Sequence, residues 1–224
     1  GLCCRRLMSA VAESIHTLAD LDTWSFAGTA LAVIGRPVAH SLSPAIHNAA
    51  LAEMAKAEPK FAGWRYFKFD IAPAELPRAL SLFHKNQFHG LNLTVPHKSL
   101  VVEGLAGADA FVRAAGAANT LSRVEAGWRG ANTDGYGLAT ALAEQFALDL
   151  ASAHVVLLGA GGAARGAAVE CLRARCASLW IGNRTKATLD DLLLSLQLFA
   201  GTTAIHGFDL ASPPPGLPAG ATVI

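Results

Sequence analysis

Hydrophobic residues along the chain form short continuous runs that alternate with stretches of helical periodicity. The runs at 29–35 and 155–158 are apolar, which is typical of strands buried on both faces of a parallel sheet. Leu76, Leu80 and Phe83 instead recur at the spacing of one helix face. The alternation predicts an α/β protein. Strands are expected at 29–35, 64–70, 88–95, 116–121, 127–135, 155–158, 178–182, 203–207 and from 221, and helices at 6–20, 45–54, 74–86, 138–146, 165–173 and 187–199.

A glycine-rich turn follows the apolar strand at 155–158 and leads into a predicted helix. Gly159 lets the chain turn sharply, Gly161 leaves room for a pyrophosphate, and the small Ala164 lets helix and strand pack closely. The phosphates would then bind the amides at the positive end of the helix. A plain structural turn is the alternative interpretation. The predicted cofactor-binding residues of this turn are Gly159, Ala160, Gly161, Gly162, Ala163 and Ala164.

The next strand ends in Asn183, Arg184, Thr185 and Lys186, where a carboxylate would be expected to hold the ribose of NAD. Two cations and no acid favour a 2′-phosphate, and hence NADP over NAD. These four residues are therefore added to the predicted cofactor site. A solvated helix start is the alternative explanation for the two cations.

The same pattern divides the chain into four segments. We expect an N-terminal helical extension at 1–28, an α/β domain with a mixed sheet at 29–137, a linker helix at 138–149 and a Rossmann-type domain at 150–224. A complete domain of the last type contains two βαβαβ halves, whereas 150–224 has room for little more than one. The sequence therefore predicts a partial, C-terminally truncated dinucleotide-binding domain.

Composition narrows the class of protein. Of 224 residues, 52% are hydrophobic and 16% charged, so a sizeable core is expected, and a formal charge of +1 indicates no nucleic-acid surface. No apolar run approaches the roughly 20 residues that span a bilayer, and the first residues do not resemble a secretory signal. The cysteines at 3, 4, 171 and 176 lack zinc or disulfide spacing, which favours a reduced, cytoplasmic setting without a metal site.

Polar residues collect where predicted strands end. Ser41 and Ser43 follow the strand at 29–35, and helix capping is an alternative explanation for Ser43 only. In the strand at 88–95, alternation places Asn92 and Thr94 on one face and Leu91, Leu93 and Val95 on the other, and Lys98 follows directly. Strand ends of α/β proteins commonly carry chemistry.

Two further Asn-Thr pairs lie around a predicted hairpin. Asn119 precedes Thr120, and Asn132-Thr133 is followed by Asp134 and a glycine. Turn formation is an equally good explanation of the second group, because Asn, Asp and Gly favour turns.

Taken together and in this order, the five clusters resemble the shikimate dehydrogenases (shikimate/quinate dehydrogenases), and the resemblance covers residues 29–224. They are His40-Ser41-Leu-Ser43-Pro44, Asn92-Leu-Thr94-Val-Pro96-His-Lys98, Ala118-Asn119-Thr120, Asn132-Thr133-Asp134-Gly135, and Gly159-Ala-Gly-Gly-Ala-Ala-Arg165 with Asn183-Arg184-Thr185. The resemblance implies reversible oxidation of shikimate to 3-dehydroshikimate with NADP, in the aromatic amino-acid pathway.

The resemblance also implies residue roles. Ser41 and Ser43 would hold the substrate carboxylate, Lys98 would exchange the hydroxyl proton, and ring hydroxyls would be bound by Asn92, Thr94, Asn119 and Asp134. Free lysine has a pKa of ~10.4, which burial would lower and Asp134 would raise, so Lys98 is expected either to accept the proton or to stay charged and stabilise the alkoxide. The family often carries a second arginine where this chain has Thr188, with Lys186 as a possible substitute.

Two alternatives stay open at this point. The substrate could be quinate or a related cyclohexane carboxylate, since one hydroxyl separates these compounds. The chain could also be a non-catalytic ligand-binding fragment, because half of the second domain is missing from the pattern. Oligomeric state and the role of residues 1–28 are not indicated.

Overall fold

The computed structural model describes residues 14–212 and 216–224, which form two compact units. Of these residues, unit 1 contains 14–106 and 120–129, and unit 2 contains 107–119 and the chain from 130 onwards. The chain therefore passes from one unit to the other three times. The domain boundaries expected at 28, 137 and 149 stay predictions.

The strands and helices of the described residues follow the predicted alternation. The strands are β1 (Ile15–His16), β2 (Thr29–Gly35), β3 (Trp64–Asp70), β4 (Gly90–Leu93), β5 (Gly107–Ala108), β6 (Thr120–Val124), β7 (Gly127–Ala131), β8 (His154–Leu158), β9 (Ser178–Asn183), β10 (Ala204–Asp209) and β11 (Thr222–Val223). The α-helices are α1 (Leu18–Asp22), α2 (Ser43–Ala57), α3 (Leu76–Lys85), α4 (His97–Leu100), α5 (Ala110–Ala115), α6 (Asp134–Phe146), α7 (Gly162–Arg173) and α8 (Lys186–Gln197). Short 3₁₀ helices lie at Pro59–Phe61, Pro73–Glu75 and Val102–Gly104.

The sheet of unit 1 is mixed, as expected. Its strands follow the order β1-β3-β2-β4-β6-β7. β2 pairs in parallel with β3 and β4, whereas β4 pairs antiparallel with β6. Two residues connect β6 to β7, as in the predicted hairpin. Phe69, Phe83 and Phe88 are fully buried and pack edge to face, which provides unit 1 with an aromatic core.

The sheet of unit 2 is parallel, in the order β10-β9-β8-β11. Numbered within the unit, this order is 3-2-1-4, with which a doubly wound dinucleotide-binding sheet begins. The central β8 buries Val155, Val156 and Leu157, as its apolar sequence predicts, and α7 and α8 cross over between consecutive strands. The Rossmann-type prediction is therefore confirmed.

Some expectations differ from the structure. The helix predicted at 6–20 lies largely outside the described residues. Of its described residues, Ile15–His16 form β1, which pairs in parallel with β3, so the helix prediction is wrong at these two positions. Residues 18–20 lie in α1, as predicted. The alternation predicts Val95 on the apolar face of its strand, but β4 ends at Leu93 and Val95 is 66% exposed.

Two further findings bear on the class of protein. Cys171 and Cys176 are free, buried thiols, and burial raises the pKa of Cys171 to about 12 and that of Cys176 to about 11. Among the described residues, none of the helices has the length and apolar character required to cross a membrane.

Candidate active site

The loop between β2 and α2 carries the two predicted carboxylate-binding serines. The Ser41 amide donates to the Val38 carbonyl at 3.0 Å, and the Ser43 amide donates to Ser41 Oγ at 3.3 Å. α2 begins at Ser43 itself, and Leu42 occupies the cap position without a side-chain cap. The capping explanation for Ser43 is therefore wrong, and its hydroxyl stays a candidate for ligand binding.

This loop lies against the end of β4. The Arg36 amide donates to the Val95 carbonyl at 3.0 Å, and the Thr94 amide donates to the Ile34 carbonyl at 3.0 Å. A Cβ added at Gly35 would lie 2.3 Å from Thr94 Cγ2, so the close approach of the two strand ends depends on a glycine. The loop with Ser41 and the strand with Asn92 are thereby fixed within one unit.

Asn92 is the centre of a hydrogen-bond chain that crosses three strands. Tyr66 Oη donates to Asn92 Oδ1 at 2.7 Å, and Asn92 Nδ2 donates to Thr120 Oγ1 at 3.2 Å. Burial raises the pKa of Tyr66, so this phenol stays a neutral donor across the working pH range. The bonds fix which end of the Asn92 amide presents its oxygen.

Sequence reasoning missed Tyr66 as part of the site. Its ring stacks on His47 with centroids 4.2 Å apart, and its backbone amide and carbonyl pair with the Asn48 side chain at 2.8 and 2.9 Å. Burial lowers the pKa of His47, so the stacked imidazole is neutral at pH 7. The available signal was the alternation of β3, which places Tyr66, Lys68 and Asp70 on one face.

Lys98 lies half-buried in α4, a single turn of helix after β4. The neighbouring His97 is fully buried, and its Nε2 lies 2.9 Å from the Ile71 carbonyl. Burial lowers the pKa of His97, so its neutral ring donates through Nε2 to that carbonyl. This bond fixes the turn that carries Lys98 to the end of β3.

Unit 2 contains the second predicted group, at the ends of β6 and β7. Asn119 Nδ2 donates to Asp134 Oδ1 at 2.8 Å and to Thr133 Oγ1 at 2.9 Å, while Asn119 Oδ1 accepts from the Thr133 amide at 3.1 Å. Asn132 Oδ1 accepts from the Asp134 amide at 3.0 Å. These bonds join Asn119, Asn132, Thr133 and Asp134 in one polar cluster. Turn formation alone would not require the contacts to Asn119.

The glycine-rich turn has the geometry that its sequence predicts. Gly159 has φ +124°, which favours glycine, and its amide donates to the Gly182 carbonyl at 2.7 Å. Gly161 is the cap residue of α7, and a Cβ added there would meet no protein atom within 4 Å. The protein itself therefore does not require glycine at 161, whereas a phosphate lying against the backbone would. Since the first amides of α7 lack intrahelical partners, the turn fits a dinucleotide.

A cavity of about 260 Å³ lies at the carboxyl ends of β9 and β10. Arg184 lines it and is exposed, and its role at a 2′-phosphate stays a prediction. Lys186 Nζ, in contrast, lies 2.6 Å from Asp190 Oδ2 within the same cavity lining, so an acid already shares this cation. Asn183 Nδ2 donates to the Thr185 carbonyl at 2.9 Å, which shapes the turn between the strand and α8.

Known proteins match this architecture. Residues 33–121 match the family model described as shikimate dehydrogenase substrate binding domain. A protein named shikimate dehydrogenase (NADP(+)) from Xylella fastidiosa strain M12 is 43% identical over 161 residues, which cover 72% of this chain and 55% of that protein. The chain therefore contains the substrate-binding domain of the shikimate dehydrogenase family, and over 72% of its length it is similar to a curated member of that family. It spans about half the length of the curated relatives that it matches.

Solved structures agree with this assignment. A shikimate 5-dehydrogenase from Thermus thermophilus, solved in complex with shikimate, is 32% identical with a TM-score of 0.65, and the match covers 80% of this chain and 63% of that one. A ligand-free 5-ketofructose reductase of Gluconobacter sp. strain CHM43 is 28% identical with a TM-score of 0.67, covering 88% of this chain and 68% of that one. A similar fold is thus also found in a protein named as a 5-ketofructose reductase.

The predicted site residues are distributed over both units. Unit 1 contains the predicted carboxylate and proton-transfer groups with part of the ring-binding set, namely Ser41, Ser43, Asn92, Thr94 and Lys98. Unit 2 contains Asn119, Asp134 and the cofactor turn. Their roles in binding and catalysis stay predictions. The pairing of Lys98 with Asp134 stays a prediction.

Proposed function

We propose that this chain carries out the family reaction, the reversible NADP-dependent oxidation of shikimate to 3-dehydroshikimate. The observation that carries the proposal is the family match over 33–121, because it includes Ser41, Asn92, Lys98 and Asn119 in one substrate-binding domain. The names and ligands of the relatives support the same substrate and cofactor.

The hydrogen-bond groups of the two clusters suit a small polyhydroxylated acid. Asn92 and Asn119 are held by bonds on either side, and so present amide groups of defined orientation. A substrate that lacked one hydroxyl would leave such a group unpaired, which costs about 1–3 kcal/mol. The site therefore selects by the number and position of hydroxyls.

The cofactor turn and the cavity beside β9 provide the elements for NADP. When bound, the nicotinamide supplies the hydride chemistry. The residues that would hold the dinucleotide are the glycine turn at its pyrophosphate and Arg184 at its 2′-phosphate. Because Lys186 is paired with Asp190, we expect Arg184 to carry most of the discrimination against NAD.

Lys98 would assist the proton transfer from the reacting hydroxyl. An ammonium can donate a hydrogen bond to the developing alkoxide, and a neutral amine can accept its proton. Asp134, already bonded to Asn119, would accept a hydrogen bond from the reacting hydroxyl and so orient it. The catalytic pair is thus Lys98 and Asp134.

A cytoplasmic location is part of the proposal. The free thiols of Cys171 and Cys176 suit a reducing compartment, where disulfides are rare. The partner is the small-molecule substrate, without nucleic acid or membrane.

The experiment follows NADPH formation by absorbance with shikimate as substrate, alongside Lys98→Ala. Loss of a positioned acid–base group is expected to lower kcat by on the order of 100-fold or more. Lys85→Ala, which changes an exposed lysine in α3, is the matched control and should keep the wild-type rate. Equal rates for Lys98→Ala and wild type would exclude the lysine.

Two further assays, each with one reactant replaced, distinguish the alternative substrates and cofactors. Quinate in place of shikimate tests the substrate, and NAD⁺ in place of NADP⁺ tests the cofactor. A chain that binds shikimate in calorimetry but never reduces NADP⁺ would be a ligand-binding protein, and the enzymatic proposal would then be wrong.

A further inference from the structure

Unit 1 contains a buried ammonium that the proposed reaction does not use. Lys68 lies on β3 with 7% of its surface exposed, and its Nζ donates to the Ala39 carbonyl at 3.0 Å. Within 14–212 and 216–224, this carbonyl is the one hydrogen-bond partner of Lys68, and no carboxylate forms an ion pair with it. Lysine is almost never buried without a charged partner, because a neutral carbonyl does not recover the lost hydration of the ammonium.

The charges around Lys68 leave a positive surplus. Asp70 lies two residues further along β3 and therefore on the same face. Its carboxylate, however, lies 3.6 Å from Arg36 Nε. Arg36, Lys68 and Asp70 together carry a net charge of +1, which one bound carboxylate would neutralise.

The carbonyl that Lys68 contacts belongs to the loop with the two serines. Ala39 lies between Val38, whose carbonyl closes the turn to the Ser41 amide, and Ser41 itself. The loop ends at Ser43, where the 15-residue α2 begins with the positive end of its dipole. Ammonium, hydroxyls and helix end all favour an anion at the same loop.

We propose that Lys68 is a positioning residue for the carboxylate of the substrate. Its ammonium holds the loop with Ser41 and Ser43 through Ala39, and it supplies the positive charge that the bound carboxylate neutralises. The inference rests on the proposed function, since that function places a carboxylate at these serines. It adds a reason why the site selects an acid over a neutral analogue.

The experiment measures the affinities of shikimate and of its methyl ester by calorimetry, and compares their ratio between variants. The ester keeps every ring hydroxyl but lacks the negative charge. Lys68→Gln is the main variant, because its amide can still donate to the Ala39 carbonyl although it carries no charge. Lys68→Met removes both the charge and the anchor. Lys85→Met, at an exposed position of α3, is the control for net charge.

In the wild type, the acid is expected to bind at least about tenfold more tightly than the ester, the loss expected when a buried charge pair is broken. Lys68→Gln should lower the affinity for shikimate by about that factor and leave the ester within twofold. Lys85→Met should change neither. Because the ammonium is shielded from solvent, the preference should persist when salt is raised.

The outcomes separate this inference from the proposed function. A wild-type preference for the acid that Lys68→Gln retains overturns the role of Lys68 while shikimate binding stands. A wild type that binds neither compound overturns the proposed function and this inference together. Thermal unfolding adds a second readout, since removing an unpaired buried charge should leave the ligand-free midpoint unchanged or higher. A sharply lower midpoint for Lys68→Gln would show a purely structural role and contradict the inference.

Discussion

The two units build their sites in opposite ways. In unit 1, side chains on neighbouring strands are joined by hydrogen bonds, as in the chain from Tyr66 through Asn92 to Thr120. In unit 2, the cofactor turn depends on side chains that are absent, above all at Gly161, beside which no protein atom would meet a Cβ. The first kind of site is damaged by removing atoms and the second by adding them.

Adding a side chain at Gly161 is the strongest test of this comparison. Gly161→Val should weaken NADP⁺ binding by on the order of 10- to 100-fold, because carbon atoms would occupy the space of the pyrophosphate. The fold should tolerate the change, since φ is −77° and the space is open, with a cost of about 1 kcal/mol from the poorer cap residue. Calorimetry with NADP⁺ and thermal unfolding measure the two effects.

Gly137→Ala is the matched control. It lies in α6, its Cβ would also meet no protein atom within 4 Å, and it should stabilise the fold by about 0.5–1 kcal/mol without changing NADP⁺ binding. If Gly161→Val bound NADP⁺ as tightly as Gly137→Ala, the turn would not be the pyrophosphate site.

A second added side chain, at Gly135, tests a glycine that allows α6 and α7 of unit 2 to pack closely. A Cβ at Gly135 would lie 2.7 Å from the Gly166 carbonyl oxygen and 2.8 Å from Glu170 Cβ, so α6 and α7 would have to separate. Gly135→Ala should therefore destabilise the protein by about 1–3 kcal/mol in urea unfolding. An unchanged unfolding midpoint would show that the helices separate without cost.

Removing the hydroxyl of Tyr66 tests the site of unit 1, and we expect smaller effects on stability and on ligand affinity than those of the added side chains. Tyr66→Phe deletes the hydroxyl that donates to Asn92 Oδ1 and should cost about 0.5–1.5 kcal/mol of stability. Because the Asn92 amide would lose an orienting bond, shikimate affinity should fall about three- to tenfold. Tyr136→Phe, which removes a hydroxyl from a side chain that is 67% exposed, should change neither quantity. Full shikimate affinity in Tyr66→Phe would show that Asn92 needs no support from the phenol.

The same contrast explains how much the sequence reveals. The bounds of β2 and β3 follow directly from it, because a continuous apolar run and an aromatic run each end at a change of chemistry. The glycine turn can also be predicted, because the backbone conformation that it needs is one that favours glycine, and the glycines are visible in the sequence. The bonds of Tyr66 to Asn92 are not readable, because they join residues 26 positions apart through a strand register that tertiary packing decides.

Other errors have similar physical causes. β1 has only two residues and exists by pairing with β3, so it has no periodicity of its own. Val95 follows the alternation of β4 in sequence, but the strand ends two residues earlier. Lys68 resembles any polar residue of an alternating strand, and only its burial singles it out.

Asp190 is an exception to this contrast, because it forms a side-chain pair in unit 2 that we expect to affect cofactor binding. Its carboxylate binds Lys186 Nζ, and both groups line the cavity with Arg184. Asp190→Asn should release the ammonium for a 2′-phosphate and raise the preference for NADP⁺ over NAD⁺ by up to about fivefold, as expected from an exposed ion pair worth about 0.2–1 kcal/mol. Glu53→Gln, which breaks the similarly exposed pair with Lys56 in unit 1, should leave the preference unchanged. An unchanged preference for NADP⁺ over NAD⁺ in Asp190→Asn would show that Lys186 does not contact the 2′-phosphate and that Arg184 binds it without Lys186.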